Sequence, residues 1–206
     1  MKKIKILIAD DHMIVRLGLA ALFSHEKDMQ VLGEAEDGLQ AVDMAQKLHP
    51  DVIVMDLMMP GLDGVGATRK IKELSPDTRI LILTSYSTSD GIAHALDADA
   101  DGAVLKTSDD ASMLTAIRTI AAGERFVSTE IQNLLAVDPP AKELSPRQKE
   151  VLDSMIRGLT NKNIAEQLGI GEGRVEAHIN AIFSKINAAN RAEAVAIALR
   201  KQLLKI

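Results

Sequence analysis

The 206-residue chain has no cysteine, no tryptophan, one tyrosine and three phenylalanines. Without thiols there is no disulfide, no thiolate metal site and no cysteine nucleophile. That composition suits a reducing, cytoplasmic setting. So few aromatic rings exclude a platform that stacks single-stranded bases, and the core must be aliphatic. Long apolar runs are missing too. No stretch approaches the roughly 18 residues of a membrane span. The opening MKKIKILIADDH ends its short apolar run in two aspartates, not in a small-residue cleavage site. It reads as a buried strand, and no membrane partner is expected.

What is present is ordinary globular composition, 47% apolar and 26% charged, with the charge unevenly spread. Residues 1–130 hold 13 Lys+Arg against 21 Asp+Glu, whereas residues 131–206 hold 11 against 8. An acidic front and a weakly basic back point to two modules with different partners.

The front module alternates strand and helix patterns. Strands are expected at 4–9, 30–34, 52–55, 80–84 and 103–105. Of these, IKILIA, VIVM and ILILT are nearly continuous aliphatic runs, as parallel strands covered on both faces should be. Helical patterns lie near 12–24, 38–48, 65–73, 90–97 and 109–122, punctuated by Gly and Pro. Five such repeats imply an α/β doubly wound, flavodoxin-like domain with a five-stranded parallel sheet over 1–123. Residues 124–143 contain Pro139–Pro140 and read as a linker with a short helix near 128–136. Beyond it, 144–206 is helical throughout. Ser145 and Pro146 supply an N-cap and a first-turn proline for a helix ending near Gly158. Further helices at 160–168, 171–186 and 191–203 complete an all-α four-helix domain of the helix-turn-helix type.

Ligands of an open α/β sheet bind at the carboxyl ends of its strands. Here those ends carry Asp10 and Asp11, then Asp56, then Thr84 and Ser85, then Lys106. Three carboxylates converging on one crevice repel unless a hard cation joins them. Mg²⁺, which takes oxygen ligands, fits. A carboxylate held beside such a cation and a lysine can attack a phosphoryl group. In the back module, Val175, Ile179, Ile182 and Ile186 form one apolar stripe on a helix. The opposite face shows Arg174, Glu176, Ala177, Asn180, Ala181, Ser184 and Lys185, small and polar enough to enter a major groove.

Together ILIADDH (6–12), VIVMDLMMPGLDG (52–64), ILTSY (82–86) and VLKT (104–107) resemble the receiver domain of two-component response regulators over residues 3–123. The stretches ELSPRQKEVLDSMIRGLTNKNIAEQLGI, VEAHINAIFSKI and NRAEAVAIA resemble the NarL/LuxR-type helix-turn-helix domain over 143–203. The receiver resemblance implies that Asp56 is the phosphoacceptor, charged by a sensor histidine kinase. It also implies that Asp10, Asp11, Asp56 and the Met58 carbonyl hold Mg²⁺, and that Thr84 and Lys106 contact the phosphoryl group. The second resemblance makes 174–186 the recognition helix, places His178 in its motif, and implies double-stranded promoter DNA and a homodimer on activation.

Departures from the family fall at informative places. Receivers usually carry Tyr or Phe three residues before the lysine, where this chain has Ala103; Tyr86 is the available substitute ring. The approach to the last strand, usually glycine-rich, reads Ala98-Asp99-Ala100-Asp101-Gly102. In the second domain, Glu176 replaces the usual lysine and Gln148 the usual glutamate, while Gly171 and Arg174 stand where a Ser/Thr pair is usual. An acid beside phosphates lowers affinity and flattens the salt dependence. It leaves open a regulator that acts through protein contacts with little specific DNA binding. An aspartate-nucleophile phosphatase is the enzymatic alternative. It would need a second aspartate two residues after Asp56, where Met58 stands, so no turnover on an external substrate is expected.

Overall fold

The structure is a computed structural model and describes residues 3–85, 89–142, 144–201 and 203–204. Tyr86, the substitute ring, lies outside the described residues. Two compact units divide the chain, Met1–Pro139 and Pro140–Ile206.

In the first unit, β1 (Ile4–Ala9), α1 (Met13–Ser24), β2 (Met29–Ala35), α2 (Gly38–Leu48), β3 (Val52–Asp56), α3 (Gly64–Leu74), β4 (Arg79–Thr84), α4 (Ser89–Asp97), β5 (Gly102–Leu105) and α5 (Asp110–Ala121) follow the expected alternation. The sheet order is β2-β1-β3-β4-β5, all parallel, with a two-residue β6 (Phe126–Val127) added beside β5. Side chains alternate across a pleated sheet, and here both sets are apolar. Leu7, Ile53, Met55, Ile82 and Ala103 share a core with Ala41, Ile71 and Ile92 of α2, α3 and α4. On the other face Ile8, Val54, Leu83 and Val104 meet Phe23 of α1 and Ile117 of α5. The aliphatic runs are continuous because neither face of the sheet meets water.

The stretch expected as a linker, 124–143, is partly built onto this unit. Phe126 N–H donates to the Asp101 carbonyl (3.1 Å) and Ser128 N–H to the Ala103 carbonyl (3.0 Å), which makes β6. The close approach depends on Gly102, because a Cβ there would collide with the Phe126 carbonyl oxygen. Ser128 then caps α6 (Thr129–Val137), whose Ile131 is fully buried in the cluster that holds Ala103. At the far end of α6, Ser89 Oγ donates to Asp138 Oδ2 (2.9 Å).

The acidic run before β5 performs two separate tasks. Asp99 takes a left-handed backbone (φ 66°) just past α4, with Ala100 N–H closing the turn onto the Ala95 carbonyl. Asp101 is buried and accepts from Lys72 Nζ (2.6 Å), Arg79 (2.9 Å) and the Ile80 N–H (2.9 Å). Burial alone would raise its pKa, but these three donors outweigh burial and hold the carboxyl below its usual range.

The second unit comprises α7 (Pro146–Ile156), α8 (Asn161–Leu168), α9 (Glu172–Ile186) and α10 (Arg191–Arg200). Its core joins Val151, Leu152, Ile164, Val175, Ile182 and Ile197. The last helix ends at Arg200, short of the expected 203. Gln148 completes a capping box: Ser145 Oγ accepts from its N–H while its own Oε1 accepts from the Ser145 N–H (2.9 Å). The usual glutamate at that position is therefore replaced without loss of the cap.

Candidate functional site

Three strand ends meet in one crevice. β1 delivers Asp10, with Asp11 following it, β3 ends in Asp56, and β5 is followed directly by Lys106. Asp10 is 1% exposed and Asp56 3% exposed, whereas Asp11 opens to solvent. Lys106 Nζ lies 2.6 Å from Asp10 Oδ2 and 3.2 Å from Asp56 Oδ1. Its backbone N–H donates to the Thr84 carbonyl (2.7 Å), fixing the lysine beside the end of β4. Carboxylate oxygens of Asp10, Asp11 and Asp56 and a ring nitrogen of His12 all lie within 4.8 Å of one another.

The loop after β3 leaves the crevice open beside Asp56. Met58 is half exposed and Gly61 turns the chain with φ 73°. Asp63 then caps α3, accepting from the Gly66 N–H (2.8 Å). A Cβ at Gly64 would strike the Asp56 carbonyl oxygen, so only glycine lets α3 begin this close to the end of β3. Two residues escaped the sequence reading. His12 Nδ1 lies 2.7 Å from Asp11 Oδ1 and 3.3 Å from Asp10 Oδ1. Buried Arg16 donates to the Asp10 carbonyl (2.8 Å) and to Glu36 Oε1 (3.0 Å), bracing the end of β1. The one signal for His12 was its place directly after the aspartate pair.

The electrostatics follow from burial. Loss of water raises the Asp56 pKa; Lys106 pulls it back, but Asp10 and Asp11 push it up again, and the net shift is upward. Desolvation would lower the Lys106 pKa, yet its hydrogen bond to Asp10 and the charges of Asp56 and Asp10 dominate and raise it. The lysine is thus held as a cation, while the acids carry more negative charge than one lysine neutralises. The donor set is all oxygen apart from one imidazole, with Asp11 facing solvent. That matches a Mg²⁺ ion that keeps several waters.

In the second unit Val175, Ile179, Ile182 and Ile186 are buried, as the spacing required, and Arg174, Glu176, Ala177 and Asn180 are exposed on α9. His178 and Lys185 are half-buried. Lys185 Nζ donates to Gln148 Oε1 (2.9 Å), which ties the last turn of α9 to the start of α7. Arg147 donates to the Leu168 carbonyl (2.6 Å) and Arg191 to the Leu159 carbonyl (2.6 Å). Those two arginines lock the helices that present α9.

Residues 6–118 match the family model described as "Response regulator receiver domain", and residues 142–198 match "Bacterial regulatory proteins, luxR family". The chain is a response regulator. It is 38% identical to the oxygen regulatory protein NreC of Staphylococcus epidermidis, over 98% of this chain and 99% of that protein. To NreC of Staphylococcus aureus it is 39% identical, with the same shares covered. Among solved structures it resembles the response regulator ChrA of a heme-sensing two-component system (33% identity, TM-score 0.60, covering 99% of this chain and 100% of that one). A complex of the response regulator RcsB with DNA is similar as well (27% identity, TM-score 0.72, covering 97% and 99%). A receiver joined to a LuxR-type helix-turn-helix makes this regulator a phosphorylation-controlled, DNA-binding transcription regulator. Among the described residues no helix is long and apolar enough to cross a membrane.

Proposed function

We propose that Asp56 is the phosphoacceptor. A carboxylate oxygen of Asp56 attacks phosphorus on the phosphohistidine of a sensor kinase, the P–N bond breaks, and an acyl phosphate forms. Lys106, already 3.2 Å from Asp56 Oδ1, neutralises charge on the transferred group. Thr84, at the neighbouring strand end, contacts one of its oxygens. Asp10, Asp11, Asp56 and the Met58 carbonyl hold Mg²⁺. When bound, the ion offsets the phosphoryl charge that these carboxylates would otherwise repel. The phosphorylated receiver shifts between two arrangements and favours a homodimer, which brings two copies of α9 to two half-sites of promoter DNA. Arg174, Glu176, Ala177, His178, Asn180 and Lys185 form the DNA-facing set. Here Lys185 acts from the helix end while its ammonium is shared with Gln148.

The observation that carries this reading is the placement of Asp56 and Lys106 in one ion pair beside two further carboxylates. Incubating the protein with Mg²⁺ and acetyl phosphate should add one phosphoryl group by intact mass and increase the dimer fraction. Asp56→Asn should show neither change. An equal mass gain in the variant overturns the assignment of the acceptor.

A further inference from the structure

The exposed side of α9 carries an unusual row. Glu172, Glu176, Asn180 and Ser184 follow one another at four-residue intervals, and all are exposed. Residues so spaced form one ridge along a helix. Buried Val175, Ile179, Ile182 and Ile186 hold another side against the core, and the ridge starts beside that stripe at Glu172 and winds onto the outer side by Asn180 and Ser184. Neither the Glu176 carboxylate nor the Asn180 amide makes a side-chain hydrogen bond or ion pair among the described residues, and Lys185, at the far end of the helix, is engaged by Gln148.

We infer that Glu176 is a base-reading residue that selects an exocyclic amine, that of cytosine foremost, in the major groove. The inference rests on the DNA-binding reading above and deepens it. An ionised carboxylate only accepts hydrogen bonds. The major-groove edges of guanine and thymine present acceptors, and cytosine N4 and adenine N6 are the donors available there. A glutamate on the groove-facing ridge therefore meets repulsion over guanine or thymine and a partner over cytosine. Asn180 stands one helical turn further along, roughly 6 Å at 1.5 Å per residue. That is on the order of two base pairs away, where its amide suits adenine. Ala177, between them on the exposed side, leaves room for a thymine methyl. The same ridge explains how a recognition helix with so few cations remains useful: it exchanges nonspecific phosphate attraction for discrimination at one base.

The test is selection from a randomised duplex library by the full chain treated with acetyl phosphate and Mg²⁺, set beside Glu176→Ala and Glu176→Lys. The natural chain should enrich cytosine at one position of each half-site. Glu176→Ala should lose preference at that position alone, with the enriched duplex binding on the order of 10-fold more weakly. Replacing that cytosine by its analogue lacking the 4-amino group should weaken the natural chain and leave Glu176→Ala unaffected. If Glu176→Ala keeps the same base preference and binds every duplex more tightly, Glu176 only repels phosphates and the inference fails while DNA binding stands. If neither the natural chain nor any variant enriches a sequence, the DNA-binding reading itself falls. Circular dichroism of the variants checks that this exposed position leaves the fold intact.

Discussion

Replacing Asp56 by Asn should stabilise the metal-free protein while removing its function. Two carboxylates within 4.8 Å of each other repel by roughly 3–4 kcal/mol at an effective dielectric of about 20. Asp10 and Asp11 together thus impose about 7 kcal/mol on Asp56, of which Lys106, 3.2 Å away, returns about 5 at the same dielectric. Burial together with Asp10 and Asp11 still wins, since the Asp56 pKa is raised. An acid whose pKa is raised by folding destabilises the native state once pH exceeds its unfolded value, and the penalty vanishes at low pH where both states are protonated. At pH 7 in a chelator, Asp56→Asn should therefore gain roughly 1–2 kcal/mol, the difference between those Coulomb contributions at that dielectric. The thermal midpoint should rise by roughly 2–4 °C for each kcal/mol gained. Adding Mg²⁺ at about 100 times its dissociation constant should stabilise the natural chain by about 2.7 kcal/mol and the variant by clearly less. Scanning calorimetry at pH 7 and pH 4, with and without Mg²⁺, reads all of this. A variant less stable than the natural chain in chelator, or equal Mg²⁺ stabilisation of both, would refute the electrostatic account.

Two further substitutions test the acidic approach to β5. Asp101→Asn leaves Lys72 and Arg79 facing a neutral amide and should cost about 2–3 kcal/mol in urea unfolding, discounted from a fully buried pair because Arg79 reaches solvent. Because the folded pKa of Asp101 is lowered, the difference should be full above about pH 4 and shrink as pH falls through the folded value. Asp99→Gly relieves a left-handed residue and should raise stability by up to about 1 kcal/mol in the same assay, with phosphorylation unchanged.

The acidic crevice was legible because each aliphatic strand stops abruptly at a polar residue, and the sheet then gathers those stops. Asp10, Asp56 and Lys106 needed no more than the pattern of strands to be brought together. His12 and Arg16 were not legible in the same way: their roles depend on a helix turning back over the strand that precedes it. β6 escaped because two residues are too few for alternation to show, and its pairing depends on Gly102, twenty-four positions earlier than Phe126. In the second unit the buried stripe of α9 was plain from spacing alone. The engagement of Lys185 by Gln148 was not, since it joins residues 37 apart in sequence.

The short β6 strand and α6 also bear on the exposed edge of the receiver's sheet. A sheet edge with unpaired backbone groups invites another chain to add a strand, and β5 would be such an edge. Phe126 and Val127 close it with the shortest of pairings, and Ile131 seals the apolar surface around Ala103 and Ile92. A receiver cut at residue 123 would lose both, and should become sticky, associating through β5 as its concentration rises. One cut at 139 keeps its edge closed and should remain monomeric without a phosphoryl group. A first module that keeps this edge closed should therefore end near residue 139, where the first compact unit ends, sixteen residues beyond Gly123.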